Sequence, residues 1–168
     1  LPRLDFRGGV PEAAGTMVIV PTLISSVEGA RAMVERLEVH ALGNMDPRIR
    51  FALLTDFPDA GAERLPGEEE VLDAAVAGIK ALNARYAPGA EDRFYLFHRA
   101  RRWNGSEGVW MGWERKRGKI EEFNRLLRGA TDTSFVEQIG DPEILPRIRY
   151  CNTLDSDTHL PRDAPRRL

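Results

Sequence analysis

Four short apolar runs, spaced by long amphipathic stretches, constrain this chain more than any other feature. Thr16-Met-Val-Ile-Val20, Ile49-Arg-Phe-Ala-Leu-Leu54, Phe94-Tyr-Leu-Phe97 and the more mixed Arg147–Leu154 are each bounded by turn residues or by Pro. Nearly continuous apolar runs of this length suit strands covered on both faces. From Val27 to Leu42, apolar residues fall at 27, 30, 34, 37 and 41, a helical stripe that Ser25 or Ser26 can cap and Gly43-Asn44 can end. Glu68–Tyr86 reads as a second helix with three acids in its first turn, where the dipole favours them. Lys119–Arg128 reads as a third, closed by Gly129. Strands alternating with helices predict an α/β fold: an open, mainly parallel sheet with flanking helices. Pro21 is expected to stop the first strand.

In such a sheet, ligands bind beyond the carboxyl ends of the strands. The expected rim is therefore Pro21-Thr22, Thr55-Asp56, His98-Arg99 and Asp155-Ser156-Asp157. With 168 residues, the chain is read as one domain. A single cysteine, Cys151, excludes a disulfide framework and a multi-cysteine zinc site, and implies a reducing compartment. No apolar run approaches a membrane span, and no signal peptide is visible. The chain opens without Met, so a piece of a longer protein is expected.

Charge narrows the ligand class. The net charge is −2, which argues against nucleic acid, yet Arg99–Arg128 holds nine Lys or Arg against four Glu. That local +5 suits an anionic small ligand, a membrane surface or a solvated helix face. No G-x-G-x-x-G follows the first strand, and Gly112–Lys119 departs from the P-loop pattern in its spacing and in Ile120. There is no nucleophile elbow, and the three histidines are scattered.

Two features remain. Asp155-Ser156-Asp157 ends the fourth strand, where two carboxylates in a turn can hold a divalent cation that substrate phosphates also bind. The other reading of this tripeptide is a turn that caps a helix over 161–168. Upstream, Lys116-Arg-Gly-Lys119 leads into a helix whose free N–H groups and dipole favour a diphosphate. Trp103, Trp110 and Trp113 fall in a Gly-rich loop, where they either stack on a sugar or pack on the sheet edge; Cys151 is expected in the core.

The strand ending Val-Pro21-Thr22, Lys119 followed by Asn124 and Leu127, and the strand ending Thr153-Leu-Asp-Ser-Asp-Thr158 together resemble processive family-2-type glycosyltransferases. More closely, Leu1–Ala14, Trp110–Thr133 and Thr153–Thr158 resemble the glycosyltransferase region of the cyclic β-1,2-glucan synthases. The resemblance implies the Rossmann-like nucleotide-binding half of a GT-A domain over 1–168, ending just past the Asp-x-Asp. It implies an inverting, metal-dependent glucosyltransferase that builds β-1,2-glucan from UDP-glucose at the cytoplasmic face of a bacterial inner membrane. Asp157 would be the principal ligand of Mg²⁺ or Mn²⁺, and Asp155 would share the metal and meet the sugar or ribose. Asp56 would hold the uracil, Thr22 would meet the nucleotide, and Lys119 would approach the diphosphate, with Lys116 taking that role if the register shifts by one turn. Asn124 would organise the local turn. The partners would be the growing glucan and the rest of a membrane enzyme. The general base would lie beyond Leu168, leaving the segment alone inactive and prone to dimerise. The alternative is a non-catalytic α/β interaction or regulatory domain.

Overall fold

The computed structural model describes residues 9–157. Strands β1 (Thr16–Leu23), β2 (Ile49–Asp56) and β3 (Phe94–Arg99) alternate with helices α1 (Val27–Leu42) and α2 (Glu68–Tyr86). A short hairpin, β4 (Arg102–Asn104) and β5 (Val109–Met111), precedes α3 (Arg115–Leu127). Then come β6 (Phe135–Ile139), a 3-10 segment Pro142–Arg147 and β7 (Tyr150–Thr153). The main sheet runs β6-β3-β2-β1-β7, parallel throughout except for β6. It is the α/β, Rossmann-like arrangement that the apolar runs predict.

Alternation along the strands sends side chains to two cores. Val18, Val20, Phe51, Leu53 and Leu96 pack under α1 and α2, against Val34, Leu37, Ala75 and Ile79. Met17, Ile19, Ala52, Leu54 and Phe97 pack on the opposite face, with Phe123 of α3, Phe135 and Ile144. All eight residues of β2 are buried, as a strand covered on both faces requires. Ser26 caps α1, accepting a hydrogen bond from Gly29 N at 3.0 Å.

Five expectations change. Pro21 does not end β1; the strand continues to Leu23, with Pro21 in register with Leu54. Odd-numbered residues of β1 face β7, as the bond from Leu154 N to Ile19 O shows, and β7 has ended before Pro21 is reached. The missing N–H therefore faces no strand. Second, α3 starts at Arg115 instead of Lys119. Gly118, which reads as a turn residue, lies inside the helix because a Cβ there would stand 2.1 Å from the Trp113 carbonyl oxygen. Third, the tryptophan loop contains a hairpin, in which Trp103 and Trp110 face each other across the strands with centroids 5.9 Å apart. Strand β6 was not expected at all, and the last strand starts at Tyr150 because Pro146 sits in the 3-10 turn before it.

The order creates a switch point. The chain steps from β1 through β2 to β3 and later returns to the other side of β1 as β7. At the carboxyl ends of β1 and β7 the outgoing connections diverge, and a crevice opens there. Among the described residues no helix is long and apolar enough to cross a membrane.

Candidate functional site

A cleft of about 680 Å³ occupies the switch point. Its walls include Thr22 near the end of β1, Asp56 at the end of β2 with Phe57–Asp59 after it, Gly112, then Arg115, Lys116 and Lys119 at the start of α3, and Ser156 after β7. Of the expected rim, Pro21-Thr22, Asp56 and Ser156 line this cleft, whereas His98-Arg99 line a separate pocket that shares Phe57 with it.

The floor is an ionic cluster withdrawn from water. Arg99, at the end of β3, has a fully buried side chain. Its Nε and one terminal nitrogen donate to the two oxygens of Asp56, both at 2.8 Å. The other terminal nitrogen donates to Glu122 at 2.8 Å. Glu122 also accepts from the Ser134 backbone N–H (2.8 Å) and hydroxyl (2.6 Å). Burial pushes the Glu122 carboxyl up, but the Ser134 and Arg99 hydrogen bonds outweigh it, and the group titrates below the usual carboxylate range.

Lys119 is 2 % exposed. Its ammonium donates to the carbonyls of Thr22 (2.7 Å) and Leu54 (3.3 Å) and lies 3.0 Å from an Asp56 oxygen. Three acceptors match its three protons. Burial lowers its pKa from the ordinary lysine value, while Asp56 opposes the shift. Lys119 thus pins the ends of β1 and β2 together beneath the cleft. Lys116, one turn earlier and half exposed, stands at the mouth and pairs with Asp155.

Asp155 and Asp157 are both exposed on the turn after β7. Arg36 of α1 donates to the carbonyl of Ser156 between them, holding that turn against the helix layer. Thr22 lines the opposite side, its hydroxyl donating to Leu23 O at 3.3 Å. The structure therefore brings Thr22, Asp56, Lys116 and Lys119 into one cleft, with the Asp155–Asp157 turn closing its rim. Asn124 does not organise a turn; it sits on the exposed face of α3. Residues 161–168, the helix of the alternative Asp-turn reading, lie outside the described residues. Cys151 is half-buried against the second core, and burial pushes its thiol up to about 11.

Arg99 belongs to the expected rim, whereas Glu122 is legible in the sequence only as part of the charged segment. The usable signal was a charge ending a fully apolar run, since buried charges must be paired. His98, beside Arg99, meets the Thr55 hydroxyl at 2.9 Å and the ring of Phe57 edge-on. Burial holds its pKa down to about 4. A depressed histidine stays neutral in the fold while the unfolded chain takes up a proton, so its contribution is lost as pH falls from about 6.5 to about 4. His98→Gln should flatten the stability–pH curve in that window by about 3 kcal/mol, as measured by urea unfolding at several pH values. A variant as steep as the parent would rule His98 out as the source.

No family model matches the chain. Over 164 residues it is 48% identical to the cyclic β-(1,2)-glucan synthase NdvB of Rhizobium meliloti (strain 1021), a match that covers 98% of this chain. The chain is homologous to a segment of a cyclic β-(1,2)-glucan synthase. It spans about 6% of that synthase's length.

Proposed function

We propose that this segment is the donor-binding half of a glucosyltransferase, one that uses UDP-glucose and a divalent cation to extend a β-1,2-glucan with inversion. The observation that carries the reading is the meeting of opposite charges at the mouth of the switch-point cleft, where Lys116 of α3 pairs with Asp155 of the turn after β7. Two exposed carboxylates stand on the β7 lip, and the basic start of α3 stands on the other.

Asp155 and Asp157 fit Mg²⁺ or Mn²⁺ held in part by substrate. Among the described residues, no three His, Cys, Asp or Glu side chains form a cage, whereas one or two carboxylates completed by phosphate oxygens is how such an ion is ordinarily bound. The ion would neutralise charge developing on the diphosphate leaving group. Lys116 is the better partner for the diphosphate, because every Lys119 proton already has an acceptor. Asp56 Oδ1 accepts one bond, from Arg99 Nε, and so keeps acceptor capacity for the imide N–H of uracil. Thr22 places backbone and hydroxyl beside the nucleotide. The growing glucan is the acceptor, within a longer enzyme at a bacterial inner membrane.

Calorimetric titration of UDP and UDP-glucose, with Mn²⁺ and with chelator, tests the reading. Binding that needs Mn²⁺ and disappears in Asp157→Ala is expected. Binding indifferent to the metal, or none at millimolar UDP, would favour a non-catalytic interaction domain instead.

A further inference from the structure

We infer that Arg99 is a positioning residue, a buried latch that holds the turn entering α3 in its left-handed form and so sets where Lys116 stands at the cleft. A guanidinium has five N–H donors, and each one here has its own acceptor. Two reach Asp56 and one reaches Glu122; the remaining two reach the carbonyls of Trp113 (3.0 Å) and Arg115 (2.9 Å). Those two carbonyls bracket Glu114. Glu114 and Arg115 have φ of 50° and 47°, the two positive-φ non-glycine residues among the described ones. Such backbone is unfavourable for residues with a Cβ and persists only where surroundings over-determine it.

The surroundings here are few. The N-cap of α3 has no side-chain cap. Arg115 pairs with Asp59 and Glu107, but these contacts are exposed and therefore weak. Gly112 brings the backbone down onto the latch, for a Cβ there would lie 2.7 Å from Arg99 and 2.8 Å from Asp56. Arg99 does not line the main cleft, so it acts through the turn and not on a ligand.

Arg99→Lys keeps the charge and an Asp56 contact but cannot span both carbonyls and Glu122, since an ammonium lacks the planar fork. Hydrogen exchange of amides 113–118 is expected to speed about tenfold, while α1 and α2 keep their parent rates. The last link rests on the donor-site reading: UDP affinity should fall about tenfold with that of uridine changed less than twofold. Adding Glu114→Gly should restore part of both, because glycine accepts positive φ without a clamp. Glu122→Gln should give the same regional pattern at lower amplitude, and it serves if Arg99→Lys does not fold. Unchanged exchange at 113–118, an equal rise in every element, or no restoration by Glu114→Gly would overturn the latch. Absence of UDP binding by the parent chain would remove the donor reading alone, and the exchange comparison would still decide the latch.

Discussion

Asp56→Ala is expected to destabilise the domain by about 3–5 kcal/mol, the usual cost of breaking a buried ion pair from one side. In the parent, two buried cations, Arg99 and Lys119, are balanced by two buried carboxylates, Asp56 and Glu122. Removing Asp56 takes both of its oxygens from the Arg99 fork and takes from Lys119 the carboxylate that stands 3.0 Å from its ammonium. Lys119 would keep just two backbone carbonyls. Solvent cannot rescue it easily, because all four side chains are at most 4 % exposed. The double variant Asp56→Ala with Lys119→Met should recover a large part of the loss by removing the stranded ammonium. Urea unfolding of the two single variants and the double reads this as a coupling energy. A loss below about 1 kcal/mol for Asp56→Ala would mean that the cluster is not a structural keystone.

That cluster also marks where sequence reading stops. Hydrophobic period located β1, β2, β3, α1 and α2 to within a few residues, since those elements bury one stripe or both faces and their composition must show it. The sheet edge where the candidate cleft opens follows from the same alternation. What was not legible depends on tertiary partners. Gly118 reads as a turn but sits in a helix, because the Trp113 carbonyl leaves no room for a side chain there. Pro21 reads as a stop but continues β1, because the neighbouring strand is shorter. Strand β6 presents only Phe135 fully to the core and is edge-exposed, so its pattern is faint. Lys116 and Lys119 have the same chemistry in sequence. They share one face of α3, and the start at Arg115 leaves Lys116 in the exposed first turn at the mouth while Lys119, one turn on, reaches under the sheet ends.

Asp155 and Lys116 should respond to mutation with opposite signs, and that asymmetry is the sharpest test of the lip. The two side chains pair with each other across the lip. Each is about half exposed, so the pair itself is worth little and can exchange partners readily. In the proposed donor complex, Asp155 turns to the metal and Lys116 to the diphosphate, so one internal ion pair is replaced by two external ones. Asp155→Ala should weaken Mn²⁺-dependent UDP binding by at least about 10–100-fold, the penalty seen for losing even an outer partner of a metal. It should also strengthen metal-free UDP binding severalfold, since the freed ammonium meets the diphosphate without a competitor. Lys116→Ala should do the reverse: Mn²⁺ alone binds more tightly to an unmasked Asp155, while metal-free UDP binds about tenfold more weakly, as loss of one charge-assisted contact implies. Both metal-free effects should shrink between low salt and about 1 M salt, where screening falls to a few ångströms. Calorimetry of four pairings, each variant with UDP and with Mn²⁺ separately, reads all the signs. If both variants lost affinity for both ligands alike, the lip would be a structural contact and not an exchangeable pair, because only exchange lets the removal of one partner improve the other's binding.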